Sequence, residues 1–439
     1  MAPRGRAITV LGIFLFIMGL SLSELLFVFI GTLLILSIAV TMPLFYYTVS
    51  FADIIVMRIL DKDKVFAGDF VNIKVTIENR SRYAYDLVEI RDNIPEVFEV
   101  IAGDNVAVAN LPPGASFTYS YVLYPKMRGT YAIGPIRLVI KDRLGFFWAE
   151  REIPSITTIT VYPSYEEIKR LDILSRARFI GMEYGVHSTK QKGIGMEFLM
   201  IREYEVGDEF RKIDWKATAR TGKLMVKEFE SERNVEIMIF LDSSKSMAVG
   251  PPEENKLEYS IRAIVTLVKM ALERKDNVGL CVFSDRVHEF IKPKSSEKQF
   301  YDILDVLAKV SAGGRSNLAN AIEYAISRLK RRTLFLIFTD LEAPSSFILE
   351  GIKLAVARGH SVVVISPFGP WFEVSAEELS PVERALAEAL LIEMWEKRRA
   401  VAREIEKYGV AVVNVGPDDC IPAVISEYLK MKMRGLAQV

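Results

Sequence analysis

Residues 235–246 read VEIMIFLDSSKS, an apolar run that ends in one carboxylate and three hydroxyls. Val235–Leu241 is apolar except for Glu236, which is typical of a strand buried on both faces of a sheet. Similar runs recur later in the chain, separated by amphipathic segments with a helical period. This alternation predicts an α/β domain over residues 234–439, with a doubly wound, Rossmann-like parallel sheet. The later runs are Val278–Phe283, Leu334–Phe338, Val362–Ile365 and Val410–Val415.

Polar side chains follow the strands of this predicted sheet, at the edge where such folds bind ligands. Asp242, Ser244 and Ser246 form a D-x-S-x-S turn after the first strand, and Asp340 follows another strand. Ser316 lies between them in the sequence, in a glycine-bearing loop ahead of a predicted helix. Two carboxylates and several hydroxyls, with room for water, suit Mg²⁺, with Mn²⁺ or Ca²⁺ as alternatives. Taken alone, the D-x-S-x-S turn also fits a helix N-cap or an Asx turn.

The same residues resemble the metal-ion-dependent adhesion site (MIDAS) of von Willebrand factor A (vWA) domains. The resemblance implies that the cation is held, directly or through water, by Asp242, Ser244, Ser246, Ser316 and Asp340. Ser316 stands where that family more often has Thr, which keeps the hydroxyl. The family uses its metal as a bridge to a partner's carboxylate, so we expect a binding protein and not an enzyme.

The first fifty residues are largely apolar and predict a transmembrane helical hairpin over residues 1–50. Leu25–Tyr47 carries no charge and exceeds the roughly 20 helical residues that cross a bilayer core. Ile8–Leu20 is shorter and spans with its flanks. The alternative is a cleaved signal peptide over Met1–Ser23, with the second run as a stop-transfer anchor.

Basic residues flank both apolar runs and predict their orientation. Arg4 and Arg6 precede the first run, and Arg58, Lys62 and Lys64 follow the second. By the positive-inside rule both ends lie in the cytoplasm. We therefore expect a cell-membrane protein whose soluble domains are cytoplasmic, and the signal-peptide alternative places them on the same side.

Residues 51–163 predict a β domain. Apolar and polar residues alternate from Val71 to Glu78, which indicates a half-buried strand, and turn residues separate further short strands. About seven such strands suggest an immunoglobulin-like β-sandwich. Residues 164–233 form a connecting region rich in charge and glycine.

Part of that region carries a second resemblance. Residues 202–224 read REYEVGDEFRKIDWKATARTGKL, and residues 128–135 read RGTYAIGP. Both resemble the signature of the domain-of-unknown-function-58 family, which joins two membrane helices, a β domain, this signature and a vWA domain. The resemblance implies a MoxR-type AAA+ ATPase as partner and an adaptor role in assembly or maturation of other complexes.

The charges of this signature allow two interpretations. The structural one is a solvated ion-pair network, in which exposed pairs contribute about 0–1 kcal/mol each. The functional one is a partner-docking surface, in which a tryptophan is the anchor and planar guanidinium groups donate hydrogen bonds. Its candidate residues are Arg211, Asp214, Trp215 and Arg220.

Composition excludes several classes of function. Lys+Arg and Asp+Glu both number 56, so the chain lacks the basic excess of nucleic-acid-binding proteins. The two cysteines, Cys281 and Cys420, have no metal-ligand spacing and are expected to be buried free thiols. No Walker-type phosphate loop occurs in the sequence.

Two alternatives to the adaptor remain open. One is a Mg²⁺-dependent hydrolase using the same carboxylates, for which Glu342 is the only nearby extra acid. Against it, we expect no histidine in a strand-end loop beside Ser243 or Ser246 that could act as a base. The other is a structural envelope protein whose metal site is idle.

Overall fold

The computed structural model describes residues 1–164, 192–193, 197–205, 208–210, 213–230, 234–367, 380–417 and 419–433. The chain divides into two compact units, Met1–Tyr165 and Glu166–Val439. The finer domain boundaries expected from the sequence stay predictions.

Two apolar helices open the first unit, α1 (Pro3–Leu22) and α2 (Leu25–Ser50). Both are long and apolar enough to cross a membrane. They pack side by side, and a Cβ added at Gly31 of α2 would lie 2.6 Å from the Phe16 nitrogen of α1. Only a residue without a side chain allows this approach. The two predicted N-terminal helices are confirmed, while their orientation in the membrane stays a prediction.

The rest of the first unit is β structure. It contains two four-stranded antiparallel sheets, of order β1-β3-β7-β5 and β10-β9-β4-β6, and a three-stranded sheet of order β2-β11-β8. The strands are β1 (Ile54–Leu60), β2 (Lys64–Phe66), β3 (Val71–Asn79), β4 (Tyr85–Asp92), β5 (Phe98–Gly103), β6 (Val106–Leu111), β7 (Ser116–Pro125), β8 (Gly129–Ile133), β9 (Ile136–Lys141), β10 (Trp148–Ile153) and β11 (Thr157–Tyr162).

The alternating pattern predicted from the sequence explains this core. Val71, Ile73, Val75 and Ile77 on β3 are fully buried, and the residues between them face outward or are only partly covered. They share one hydrophobic cluster with residues of the other four-stranded sheet, such as Ile90. A β-rich domain is therefore confirmed, and its immunoglobulin-like topology stays a prediction.

A buried ion pair crosses this core. Arg58 on β1 donates from Nε and Nη2 to the carboxylate of Asp92 on β4, at 2.9 and 2.6 Å, and neither side chain is exposed. Tyr121 donates its hydroxyl to the same carboxylate at 2.7 Å, and burial raises the pKa of this phenol well above its ordinary value. Arg58 also donates to the carbonyls of Ile133 and Ser155. Arg58, expected from the sequence to be a topology-determining charge beside the membrane, is therefore an internal cation of the β domain.

We predict that Asp92→Ala destabilises the β domain by about 3–5 kcal/mol, because it leaves the Arg58 guanidinium buried without its counter-ion. Chemical denaturation of the full chain, followed by near-ultraviolet circular dichroism, measures the loss. Glu78→Ala is the matched control, because it breaks an exposed pair with Arg80 and should change stability little. Equal effects of the two substitutions would contradict the role of the buried pair.

The second unit contains a small sheet and a larger α/β domain. The small sheet has the order β12-β14-β13, with helix α3 (Trp215–Thr221) between β13 and β14 in sequence. Its strands are β12 (Lys192–Gly193), β13 (Glu197–Glu203) and β14 (Met225–Glu230).

The α/β domain is built on six described strands in the order β17-β16-β15-β18-β19-β20. Five of them are parallel, as the apolar runs predicted. The strands are β15 (Glu236–Asp242), β16 (Asn277–Phe283), β17 (Val287–Lys294), β18 (Leu334–Phe338), β19 (Ser361–Pro367) and β20 (Ala411–Val415). The helices are α4 (Lys256–Glu273), α5 (Glu297–Lys309), α6 (Leu318–Ile326), α7 (Ser345–Ala357), α8 (Pro381–Glu406) and α9 (Cys420–Met433).

Strand β17 corrects the expectation of a purely parallel sheet. It pairs antiparallel with β16 at the sheet edge, after a short turn at Asp285 and Arg286. Its side chains are only partly buried, so it lacks the continuous apolar run by which the other strands were recognised. The coarser prediction of an α/β domain is confirmed.

Both cysteines lie in this domain as buried free thiols. Burial raises the pKa of Cys281 and of Cys420 to about 12, so both remain protonated at neutral pH.

Candidate functional site

The first site loop begins where β15 ends. Asp242 is fully buried, and its Oδ1 accepts a hydrogen bond from the backbone N–H of Ser244 at 2.9 Å. The hydroxyls of Ser244 and Ser246 are 3.2 Å apart, on the short 3₁₀ turn that follows. The D-x-S-x-S turn therefore gathers one carboxylate and two hydroxyls above the end of this central strand.

The second loop is fastened to the first through the backbone. Gly313 donates its N–H to the Ser243 carbonyl at 2.8 Å, and Lys245 donates to the Gly314 carbonyl at 3.3 Å. Ser316 follows directly and is 7% exposed. Its hydroxyl lies close enough to Asp242 to lower the pKa of that carboxyl, yet it forms no well-aligned hydrogen bond within the described part of the chain.

The third loop follows β18, which neighbours β15 in the sheet. Thr339 donates its hydroxyl to Asp242 Oδ2 at 2.8 Å, which joins the first and third loops. Asp340 is fully buried, and its Oδ1 accepts from the backbone N–H of Glu342 at 3.1 Å. The other oxygen, Oδ2, accepts no hydrogen bond from any described residue.

Burial governs the electrostatics of both aspartates. Desolvation raises the pKa of Asp242, although the hydroxyls of Ser316 and Ser244 partly offset it. Desolvation, followed by the charge of Glu342, raises the pKa of Asp340 from 3.8 to about 6, and Lys256 opposes this shift. Because the folded-state pKa is raised, charging Asp340 as the pH rises from about 4 to about 6 lowers the stability of the metal-free chain. A bound cation would remove that cost.

Two basic side chains already compensate part of this negative charge. Lys256, at the start of α4, is fully buried, with Nζ 3.7 Å from Asp340 Oδ2 and 2.9 Å from Glu342 Oε1. Arg398, on α8, donates to the same Glu342 oxygen. Glu342 is thus held by two cations, which makes it a poor candidate for an additional metal ligand or a general base.

The carboxylate and hydroxyl oxygens of the three loops are ligands that a hard cation prefers. Within the described residues no three His, Cys, Asp or Glu side chains cluster as a metal cage, so a cation here would also need hydroxyl ligands. The buried Asp340 Oδ2 lacks a hydrogen-bond partner there, and buried polar atoms are rarely left so. The structure therefore brings together the residues singled out by the sequence, while metal binding by them stays a prediction. Those residues are Asp242, Ser244, Ser246, Ser316 and Asp340.

Sequence reasoning missed a serine–histidine pair at the end of β16. Ser284 Oγ lies 2.7 Å from His288 Nε2 and 2.9 Å from Asp285 Oδ1, and the Ser284 carbonyl accepts from the Asn317 N–H. The prediction that Ser243 and Ser246 have no histidine base is a separate one, because His288 pairs with Ser284. His288 comes from β17, the antiparallel strand that the sequence pattern did not reveal.

The docking candidates separate into two groups. Asp214 caps α3 by accepting hydrogen bonds from the N–H groups of Lys216 and Ala217. The bond from Ala217, together with the positive charge of Lys227, holds the pKa of Asp214 below its ordinary value. Trp215 is 67% exposed and Arg220 is also exposed, as a docking surface requires. The nearby Phe210 is 72% exposed. Arg211 lies outside the described residues.

These features define a class of protein: a chain in which two apolar helices, long enough to cross a membrane, and a β domain precede an α/β domain. Comparison with known families adds two matches, each to a part of the chain. Residues 200–368 match the family described as "Protein of unknown function DUF58", and residues 59–155 match the "BatD DUF11 like domain". These matches confirm the resemblance to the domain-of-unknown-function-58 family that the signature predicted.

Among curated proteins, the uncharacterized protein YeaD of Bacillus subtilis is 29% identical over 194 residues, 44% of this chain and 48% of YeaD. The uncharacterized protein Rv1480 of Mycobacterium tuberculosis is 23% identical over 206 residues, 46% of this chain and 64% of Rv1480. The chain thus spans about half to two thirds of these relatives.

Among solved structures, the conserved hypothetical protein BatB from Bacteroides thetaiotaomicron is 21% identical, with a TM-score of 0.34. The match covers 45% of this chain and 99% of BatB.

Proposed function

We propose that this protein is a non-enzymatic, membrane-anchored adaptor that binds a protein partner through a divalent cation held in a MIDAS-type site of a doubly wound vWA domain. The observation that carries the proposal is the buried Asp340 Oδ2, left without a hydrogen bond within the described residues, in a loop that the Thr339 hydroxyl joins to Asp242. A cation held there would offer a positive charge to a carboxylate of the partner. The soluble domains face the cytoplasm in this proposal.

The partner proposed is a MoxR-type AAA+ ATPase, acting with this chain in assembly or maturation of another complex. Support comes from the family match, together with two exposed aromatic side chains, Trp215 and Phe210, in the matched segment. Exposed tryptophans beside arginine are typical of protein-binding hot spots. The metal site and this surface would then be two contacts of one adaptor.

We predict that Asp340→Asn lowers the affinity of the full-length protein for Mn²⁺ by at least about tenfold, because an amide is a much weaker ligand than a carboxylate. Isothermal titration in detergent measures it. Asp285→Asn is the matched control, an exposed strand-end aspartate outside the five-residue set, and should leave the affinity unchanged. Unchanged binding in the Asp340 variant would refute the proposed ligand set.

We predict the opposite result for Lys256→Met, which removes a buried positive charge 3.7 Å from Asp340 Oδ2. Like charges repel, so Mn²⁺ affinity should rise by about tenfold. The metal-free variant should melt at a lower temperature, because Asp340 and Glu342 lose a counter-ion. The exposed Lys330→Met is the control. Weaker Mn²⁺ binding by Lys256→Met would show instead that the ammonium orders the site.

We predict that Trp215→Ala weakens capture of a MoxR-type ATPase from the same organism by at least about tenfold, the size of a hot-spot truncation. Trp215 is exposed, so the variant should retain its melting temperature. Surface plasmon resonance with purified components measures the affinity, with and without EDTA. The exposed Tyr301→Ala is the control. Full binding by the Trp215 variant would exclude this surface as the dock.

A hydrolase is the second candidate function, since Ser284 and His288 form a close pair one loop away from the metal site. Ser284 is only 1% exposed, and its hydroxyl also faces Asp285, both of which favour a structural hydrogen bond. Turnover of phosphoesters and acyl esters that is lost in His288→Gln would favour the enzyme.

The third candidate function is that of a structural envelope protein whose metal site is idle. Failure of the wild-type chain to bind Mn²⁺ would favour it.

A further inference from the structure

The loop between β9 and β10 reads DRLGFFW from Asp142 to Trp148 and contacts both apolar helices. The backbone N–H of Ala2, just before α1, donates to the Phe146 carbonyl at 2.8 Å. The ring of Phe45 on α2 stacks on that of Phe147 with 5.8 Å between centroids. The start of α1 and the end part of α2 therefore meet on one loop of the β domain.

The contact with α1 is too close for an ordinary side chain. A Cβ added at Gly5 would lie 2.5 Å from the Phe146 carbonyl oxygen. Arg4, one residue earlier, passes beside Gly145 of the loop. The loop is therefore level with the first turn of α1, at the end of the hairpin that carries the basic residues.

The loop also contacts α2 near the end of its membrane-spanning length. A hydrocarbon core of ~30 Å takes about 20 helical residues, which counted from Leu25 end beside Phe45. Tyr46 donates its hydroxyl to the Trp148 carbonyl at 3.4 Å. If the hairpin spans the membrane, the loop lies at the boundary between the acyl chains and the lipid headgroups.

The β domain is held against the end of α2 by a short connection and by hydrogen bonds. Strand β1 begins at Ile54, and only three residues separate it from the end of α2. Tyr85 donates its hydroxyl to the Thr48 carbonyl at 3.0 Å, and Arg151 donates to the Ala52 carbonyl at 2.5 Å. These bonds join the last turn of α2 and the segment just after it to strands β4 and β10, so the domain is fixed to the helix end.

The loop presents to its surroundings the side chains that suit a membrane interface. Leu144 is 62% exposed and Trp148 is 42% exposed, and Arg143 beside them is exposed as well. Tryptophan is enriched at the headgroup level, and an arginine there reaches lipid phosphates while its stem stays apolar. In water this combination would leave apolar area uncovered.

We propose that the loop from Arg143 to Trp148 is inserted into the headgroup region of the membrane that α1 and α2 cross, with Leu144 and Trp148 at the acyl boundary. The partner is the lipid surface itself. This inference rests on the membrane anchor of the proposed function, but not on its metal site. The β domain is then seated on the bilayer, and the distance from membrane to domain is fixed.

Tryptophan fluorescence in the full-length protein tests the insertion. The chain has four tryptophans, so replacing Trp215, Trp371 and Trp395 by Phe leaves Trp148 as the sole emitter. The protein is reconstituted in phosphatidylcholine vesicles whose acyl chains are brominated close to the headgroup, with no other protein present. A chain that keeps only Trp215 is the matched control.

We expect brominated lipid to reduce Trp148 emission and leave Trp215 emission unchanged, and Leu144→Asp to diminish the loss at Trp148. Trp148 emission that is insensitive to bromine and quenched by aqueous iodide would overturn the insertion, and would favour a protein contact for this loop. Co-flotation with the vesicles separates the two claims. A chain that does not float refutes the anchor as well, whereas a floating chain with unquenched Trp148 refutes the loop alone.

Discussion

The hydrogen bond from the Thr339 hydroxyl to Asp242 Oδ2, 2.8 Å long, is the contact on which the candidate site depends. It joins the ends of β15 and β18, the adjacent strands at which the strand order reverses. Such a reversal leaves a crevice at the carboxyl edge of the sheet. The Gly313 N–H, bonded to the Ser243 carbonyl, joins the second loop to the first, so that all three loops meet at this edge.

Burying Asp242 and Asp340 in one pocket is unfavourable unless something positive lies nearby. The structure supplies Lys256 to Asp340, and Arg398 with Lys256 to Glu342. This compensation is incomplete, because Asp340 Oδ2 has no hydrogen bond within the described chain and the pKa of Asp340 is raised to about 6. A cation held at this site would add the positive charge that these two side chains do not fully supply. Because Arg398 comes from α8, the charge state of the site and the position of that helix are physically linked.

The sequence predicted the fold well where a local pattern encodes it. The apolar runs around Phe240 and Ile337 became central parallel strands, and the alternating run from Val71 became a strand with one buried face. The prediction failed at β17, because this partly exposed edge strand has no continuous apolar run. The histidine paired with Ser284 was overlooked for the same reason, since His288 lies on that strand.

The candidate ligands were predictable because strand ends lie at one edge of a parallel sheet. Their counter-ions were not predictable, because Lys256 and Arg398 reach Glu342 from helices 86 and 56 residues away in the sequence. The ion pair of Arg58 was not predictable for a similar reason. Its position after an apolar helix suggested a role in orientation, and only the fold brings it to Asp92, 34 residues away.

The central claim is that three loops form one cation site, and a crystal of the full-length protein grown with Mn²⁺ tests it most directly. We predict a single strong anomalous peak among the side-chain oxygens of Asp242, Ser244, Ser246, Ser316 and Asp340, at distances of about 2 Å for the direct ligands. A map with no peak there, in which the Lys256 ammonium bonds directly to Asp340 Oδ2, would contradict it.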